Sequence, residues 1–447
     1  MSVSSEDRGA STVLSRTQSL CQVCLAVVDA QVAERDGKVF LDKACPEHGS
    51  SSTYLWPDAN HYRWVADFGL PAVRPAVVRA SDLPCPTGCG LCASHARKST
   101  LVEIEVTQRC NLRCPVCFVS AGVGPADPSM DTLRSMFASA LAQTGGETSI
   151  QLTGGEPTVR EELSEIIMMG REMGFAAIEV NTNGVRIAAE PGYLERLRDA
   201  GTSGIYLQFD GLSDDVYETI RGRALLETKL AALQRCREAG VQAVLAMAVV
   251  LGVNDDQVGA VLDFALANTD VVAGVAFQPA FTSGRFEPEE VSPINLGDVA
   301  FMLEEQSHGI LGAYDLWPLS TSHPVCSVAT LLVSDGDGFV PVTRLLSPDD
   351  YRDGYDPASP QGSVFFDLML KRGVSCEGAL SVVVMNYMDV TNFDLDRIRE
   401  CSMTVVMEDG RLVPFCSYQL TNCVGQRLHP TWGRAADALS KTCKECG

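Results

Sequence analysis

Val106-Thr107-Gln108-Arg109-Cys110-Asn111-Leu112-Arg113-Cys114-Pro115-Val116-Cys117-Phe118 carries three cysteines at C-x3-C-x2-C spacing. The run that leads into it, Leu101-Val102-Glu103-Ile104-Glu105-Val106, alternates in part and reads as a buried strand. Thiolates set this close on one loop suit an iron–sulfur cluster, with a structural zinc knuckle as the plainer alternative. Three protein ligands on a four-iron cube leave one iron open, and chemistry at a metal centre needs an open position.

Outward from that loop, strands and helices alternate from about 100 to 290. Strands are predicted at 101–107, 148–152, 176–181, 203–209, 241–250 and 273–278. Helices are predicted near 130–143, 159–173, 191–200, 213–236 (broken at Arg221-Gly222) and 255–267. Such alternation implies a parallel sheet with helical crossovers, whose ligands sit at the carboxyl ends of the strands. The second strand ends in Gln151-Leu152-Thr153-Gly154-Gly155-Glu156-Pro157, where paired glycines let backbone approach a ligand. The third ends in Asn181-Thr182-Asn183-Gly184, the fourth in Gln208-Phe209-Asp210-Gly211 and the sixth in Ala276-Phe277-Gln278-Pro279. Asp210 is expected to face the same mouth, and Arg221 with Arg223 forms a short basic patch that suits either an anion or solvent.

The cysteine loop followed by Gly154-Gly155-Glu156 at a strand end resembles the radical S-adenosylmethionine (SAM) superfamily. The resemblance implies a partial (β/α)6 barrel in an α/β fold, with Cys110, Cys114 and Cys117 holding a 4Fe-4S cluster whose free iron binds the amino and carboxylate groups of SAM. It further implies that the reduced cluster cleaves SAM to methionine and a 5′-deoxyadenosyl radical. By the same resemblance Gly154, Gly155 and Glu156 meet the SAM amino group, and Asn181 and Asn183 the ribose or carboxylate. Gln208 and Asp210 touch SAM or substrate, and Gln278 lies by the adenine. One departure is Val116, where the family has an aromatic residue before the third cysteine; Phe118 stands just after it and is taken for the adenine contact.

The chain has 447 residues, 46% of them hydrophobic, so it can bury a sizeable core. A net charge of −22 argues against nucleic acid as a partner and for solubility. No secretory signal is apparent, and the longest apolar run, 243–253, is too short to span a bilayer; a cytoplasmic protein with no membrane span is expected. Seventeen cysteines without an export signal point to metal ligation rather than disulfides.

The expected division is a disordered tail at 1–17, an N-terminal metal and auxiliary-cluster domain at 18–99, the barrel at 100–290, and a C-terminal auxiliary-cluster and substrate domain at 291–447. Cys21, Cys24 and Cys45, with a hairpin turning at Asp36-Gly37, read as a small β module stabilised by zinc or by one rubredoxin-type iron. Its fourth ligand is expected to be a remote cysteine rather than His48 of Cys45-Pro46-Glu47-His48-Gly49. Cys85, Cys89 and Cys92 repeat the C-x3-C-x2-C spacing between Pro and Gly turns and suit an auxiliary cluster, with zinc as the alternative. Cys326, Cys401, Cys416 and Cys423 are dispersed, and Cys443 and Cys446 form a last C-x2-C.

These modules together resemble the tetraether lipid synthase family, formerly labelled pterin-directed radical SAM methylases. The agreement includes the Cys-Pro-Glu-His-Gly module, the triplet at 85–92, Gly284-Arg285, Tyr387-Met388-Asp389 with Asn392-Phe393-Asp394, and Pro414-Phe415-Cys416. It implies two auxiliary 4Fe-4S clusters and a rubredoxin-like iron beside the SAM cluster. Three cysteines for the SAM cluster and four for each further centre make fifteen, which leaves Cys236 and Cys376 as ordinary residues. The implied activity is hydrogen abstraction from an unactivated sp3 carbon and carbon–carbon bond formation on a lipid-like chain or small molecule, with an external electron donor such as ferredoxin or flavodoxin. Radical C-methylation with two SAM per turnover is the alternative. A non-catalytic electron carrier is a third reading, against which Gly154-Gly155-Glu156 argues.

Overall fold

The computed structural model describes residues 11–79, 83–122, 126–286, 293–336, 338–354 and 364–429. Cys443, Cys446 and the first ten residues of the expected tail lie outside the described residues. The tail's last part differs from expectation, because strand pairing begins at Thr12. That strand is largely exposed and polar, and its backbone pairing with the next strand holds it, which composition does not reveal.

Four strands, β1 (Thr12–Leu20), β2 (Val27–Arg35), β3 (Lys38–Cys45) and β4 (Gly49–Trp56), form an antiparallel meander. Asp36 and Gly37 turn the β2–β3 hairpin with φ of 49° and 75°, the left-handed pair that a two-residue turn between twisted strands requires. β5 (Leu101–Thr107) follows, then a two-residue strand β6 (Val116–Cys117) inside the cysteine loop. The barrel continues with β7 (Ser149–Gly154), β8 (Ile178–Thr182), β9 (Gly204–Gln208), β10 (Ala243–Val249) and β11 (Val272–Pro279). These six long strands are mutually parallel in the order β5-β7-β8-β9-β10-β11. Helices at Met130–Thr144, Leu163–Glu172, Tyr193–Asp199, Asp214–Arg221, Leu226–Ala239 and Val258–Leu266 make the crossovers. The anticipated helix break falls at Gly222, a left-handed C-cap with φ 81°.

After β12 (Arg285–Phe286), which pairs with β6, come β13 (Trp317–Pro318), β14 (Ser327–Ser334), β15 (Phe339–Pro341), β16 (Leu380–Met385), β17 (Met403–Val406) and β18 (Leu412–Pro414). They extend the barrel sheet at both ends. β16 runs parallel beside β11, and β17 parallel beside β5.

Parallel strands covered on both faces usually read as continuous apolar runs. Here they alternate. Val102, Ile104, Ile150, Leu152, Val180 and Leu207 turn outward into the main core against the helices. Glu103, Gln151, Thr153, Asn181, Tyr206 and Gln208 turn inward and line a cavity. The inner face is polar because it surrounds a site rather than a packed centre.

Candidate active site and metal centres

The cysteine loop caps the carboxyl end of the barrel. Cys110, Cys114 and Cys117 all face an open cavity. Burial pushes the Cys110 thiol up to about 12 and raises that of Cys114, so thiolates here need a bound metal to form. Donor set and cavity therefore fit a cluster held by this triplet.

Several distant residues hold the loop. Arg285 Nε donates to the Cys114 carbonyl at 2.6 Å, and its two Nη atoms donate to the Ala121 carbonyl at 3.3 and 3.2 Å. Gly284 has φ 70°, and a Cβ there would stand 2.3 Å from the Phe118 carbonyl oxygen. This explains Gly284-Arg285 as a clamp. The paired glycines serve the loop as well as a ligand. A Cβ on Gly154 would lie 1.9 Å from the Thr107 oxygen and one on Gly155 2.2 Å from the Arg109 oxygen. In their absence Gly155 N donates to Thr107 O at 2.8 Å and Glu156 N to Arg109 O at 2.9 Å.

Glu156 is 1% exposed and its carboxylate is saturated. It accepts from Thr158 N, Thr158 Oγ1 and Thr182 Oγ1, and from Asn183 N at 2.7 Å, tying the end of β7 to that of β8. Asn183 Nδ2 donates to Asn111 Oδ1 at 2.7 Å and so reaches the cysteine loop, while Asn181 donates to Gln151 at 3.4 Å. Gln208 and Gln278 line the cavity, Gln208 Oε1 accepting from Lys229 Nζ at 3.0 Å and Gln278 donating to the Tyr206 hydroxyl at 2.7 Å. Phe118 stacks on Phe281 with centroids 5.5 Å apart and meets Phe415 edge-on at 5.6 Å, so its ring joins the C-terminal aromatic wall.

Asp210 departs from its expected place at the mouth. It is fully buried behind the lining, and its two oxygens accept from Arg221 Nε and Nη2, each at 2.7 Å. A buried carboxylate needs such a partner, and Arg221 faces the cavity in its stead. Lys229 is the residue that sequence reading missed. Its buried ammonium, lowered to about 8 by desolvation, donates to Asn183 O at 2.6 Å and to Gln208. The signal was its spacing: it stands four before Leu233 and seven before Cys236, on the buried face of one helix.

Three further thiol groups converge. In the N-terminal ribbon, Cys21, Cys24, Cys45 and His48 bring one ligand atom each within 4.8 Å of one another. His48 Nδ1 is 3.6 Å from Cys21 Sγ and 3.5 Å from Cys45 Sγ. This corrects the expectation of a remote cysteine: the tight turn after Cys45 returns the imidazole to the knuckle. Cys3His is a zinc-type set. Cys85 and Cys89 hydrogen-bond each other, and Ser417 Oγ approaches Cys89 Sγ at 3.9 Å. Cys326, Cys401 and Cys416, dispersed in sequence, act on one another through space. Arg397, 5% exposed, points its Nε at Cys326 Sγ at 3.2 Å and donates Nη2 to Asn386 O at 2.7 Å. Among the described residues no carboxylate forms an ion pair with this guanidinium, and Asp394 assists only through space. A buried cation facing three thiols fits an anionic, thiolate-ligated group there. Cys423 meets the ribbon through its backbone, N to Gln22 O at 3.0 Å, and Cys236 is buried in a helix.

Comparison with known proteins agrees with this layout. The Radical SAM superfamily matches residues 104–265, and the HMPTM N-terminal zinc ribbon domain matches residues 13–57. The chain is 31% identical over 470 aligned residues to the 7,8-dihydro-6-hydroxymethylpterin dimethyltransferase of Methanocaldococcus jannaschii, covering 90% of this chain and 93% of that one. It is 31% identical over 171 residues to a probable GTP 3′,8-cyclase of Archaeoglobus fulgidus, covering 38% of this chain and 56% of that one. Among solved structures, SuiB of Streptococcus suis bound to S-adenosylmethionine matches with a TM-score of 0.40 at 15% identity, over 46% of this chain and 47% of that one.

Proposed function

The chain belongs to the radical SAM family of the Methanocaldococcus jannaschii dimethyltransferase, and from that premise we propose that it forms a carbon–carbon bond at an unactivated sp3 carbon. Cys110, Cys114 and Cys117 would hold a 4Fe-4S cluster, which with bound SAM would supply the radical chemistry for taking a hydrogen. The chain's own residues position and shield that chemistry. Arg221 and Arg285 fix the cysteine loop through the Val116 and Cys114 carbonyls. Lys229 holds Asn183 and Gln208 in place beneath the ligand. Phe118, Phe281, Tyr387 and Phe415 wall the cavity and keep water from a reactive carbon.

One observation carries the reading: the cavity that meets the SAM-cluster cysteines is walled opposite by residues adjoining a second thiol group. Phe415 precedes Cys416, and Cys401 Sγ lies 3.1 Å from the carbonyl of the lining residue Met403. Cys326, Cys401 and Cys416 are assigned to one auxiliary cluster, and Cys85, Cys89 and Cys92 to another. The ribbon takes zinc at Cys21, Cys24, Cys45 and His48. The relative's name, a dimethyltransferase, favours methyl transfer, read here as radical C-methylation with two SAM per turnover. Coupling of lipid-like chains is the second reading, supported by the aromatic wall. An external ferredoxin or flavodoxin supplies electrons. The test is a product count on anaerobic, reconstituted protein. Equal substrate-dependent 5′-deoxyadenosine and S-adenosylhomocysteine support methylation, and 5′-deoxyadenosine alone supports coupling. Absence of both with reductant and host extract overturns the proposal.

A further inference from the structure

Asp389, in the run Tyr387-Met388-Asp389, is 6% exposed and its carboxylate is saturated. One oxygen accepts from Thr282 N at 2.8 Å and from Thr282 Oγ1 at 2.6 Å. The other accepts from Thr391 N at 2.8 Å and from Thr391 Oγ1 at 2.6 Å. Its own N–H donates to Asn392 Oδ1 at 2.9 Å, which closes a tight turn over 389–392. The ribbon holds that turn from outside. Lys43 Nζ donates to the Val390 carbonyl at 2.7 Å, and Thr53 Oγ1 to the Thr391 carbonyl at 3.0 Å.

Thr282 belongs to a strap, 280–284, that runs from β11 to β12 without regular secondary structure. No strand ladder fixes such a segment, so its place depends on the groups that seize it. Asp389 holds one side at Thr282, from 107 residues farther along the chain. On the other side Ser283 Oγ donates to the Gln419 carbonyl, and Gly284 N donates to Thr421 Oγ1 at 3.2 Å. The strap delivers Arg285 and Phe286 opposite Cys117 and Val116 in the β12–β6 pair, and lays Phe281 on Phe118. Arg285 then grips the Cys114 carbonyl. Two of the three cysteines of the loop therefore take their place from a segment that Asp389 anchors.

We propose that Asp389 is a positioning residue for the SAM site: it fixes the strap through Thr282, so that the cysteine loop keeps the shape that receives SAM. Among the described residues, the bonds to Asp389 are the only ones that the Thr282 N–H and hydroxyl donate. Without the carboxylate both groups pass to water and the strap is released at that point. Groups behind a metal's ligands change what the centre binds without touching it, because they orient the ligands. The inference rests on the radical SAM reading of the loop and adds to it a residue that meets neither the cysteines nor SAM.

The test uses the full chain, reconstituted anaerobically with iron and sulfide and then reduced with dithionite. SAM is titrated in, and its midpoint is read from the SAM-dependent change in the EPR signal. Iron and zinc per chain are counted on the same samples. Asp389→Asn keeps the side-chain volume, but its single uncharged oxygen can serve one threonine and not both. It is expected to hold wild-type iron and zinc and to raise the SAM midpoint about tenfold. Thr282→Val should raise it about threefold, and Thr282→Ser, which restores the hydroxyl, should return it to the wild-type value. Wild-type midpoints in both Asp389→Asn and Thr282→Val overturn the inference. So does a shift in Thr282→Ser as large as that in Thr282→Val, because the hydroxyl is then not what holds the strap. Should Asp389→Asn lose metal, the Thr282 pair decides alone. Wild type that shows no SAM-dependent signal sinks the radical SAM reading beneath, whereas a wild-type response with unmoved variants sinks this inference only.

Discussion

At the residue scale, two buried ionisable groups are held where a stability-driven fold would not leave them. Glu103 is pushed up to about 8 by burial first and by Glu105 second, from an ordinary 4.5. Glu105, Tyr206, Tyr387 and Tyr418 act on it through space, and none of them is a cation. Well below pH 4.5 the acid is protonated folded and unfolded alike, so its ionisation adds no pH-dependent cost. As pH rises towards 8, only the unfolded chain gains by ionising, and stability is lost. Glu103→Gln should therefore stabilise the protein by about 3 kcal/mol at pH 7, with the gain shrinking towards zero near pH 4.5. Urea midpoints at pH 5 and pH 8 check this; an equal gain at both would show that the carboxyl does not titrate as its burial requires. Arg397 is the opposite case, a cation facing thiols. If Cys326 ligates the proposed auxiliary cluster, the N–H that Arg397 points at its sulfur would favour the reduced, more negative state. Arg397→Gln should shift that cluster's reduction equilibrium at least tenfold, about 59 mV downward for one electron, and leave the SAM cluster's potential in place. An EPR-monitored redox titration resolves the two, and an unmoved auxiliary signal would exclude contact between the guanidinium and a cluster.

At the element scale, the strand ends are built to accept the cysteine loop. Gly154, Gly155 and Gly284 are needed because backbone oxygens of Thr107, Arg109 and Phe118 occupy the space of a side chain. The Gly-Gly-Glu run was legible in the sequence as a ligand motif. Its contact with the loop was not, since nothing local says which carbonyl another segment will present. Gly155→Ala places a methyl carbon 2.2 Å from the Arg109 oxygen, so the loop must move. Its iron content after reconstitution should fall by up to about four per chain, the complement of one cluster, with loss of the SAM-dependent EPR signal; wild-type iron with an unchanged signal would show that the loop tolerates the shift. The strands were predicted within a few residues of their observed bounds, because alternation is a property of the strand itself. Asp210 was placed at the mouth by strand-end logic, and Arg221, eleven residues on, withdraws it into an ion pair.

At the scale of the molecule, the sheet is completed by strands far away in sequence. β16 and β17 flank the barrel strands, and Tyr387 bridges towards Met385 and Met403 with its hydroxyl 3.4 and 3.9 Å from their sulfurs. The ribbon is clamped to the same body. Lys43 Nζ donates to Val390 O at 2.7 Å, Thr53 Oγ1 to Thr391 O at 3.0 Å, and Tyr54 to Asp298 at 2.7 Å. Among the described residues no helix is long and apolar enough to cross a membrane. Cys24→Ser should release about one zinc per chain and lower thermal stability by a few degrees, since the ribbon is too small to hold its shape without metal. Metal analysis decides the matter: unchanged zinc with iron lost would make the ribbon an iron centre.

The sequence by itself determined what depends on neighbours along the chain: the cysteine spacings, the strand and helix periods, the Asp36-Gly37 hairpin and the Gly-Gly-Glu turn. Only the tertiary structure decided what depends on loop closure over hundreds of residues. It brought His48 back to the knuckle, gathered Cys326, Cys401 and Cys416 around Arg397, and left Glu103 facing the cavity with no partner among the described residues. Spacing and periodicity are local and survive in any chain that contains them. Convergence is set by sheet order and packing, where one guanidinium or one carbonyl from a distant strand changes what a side chain can do.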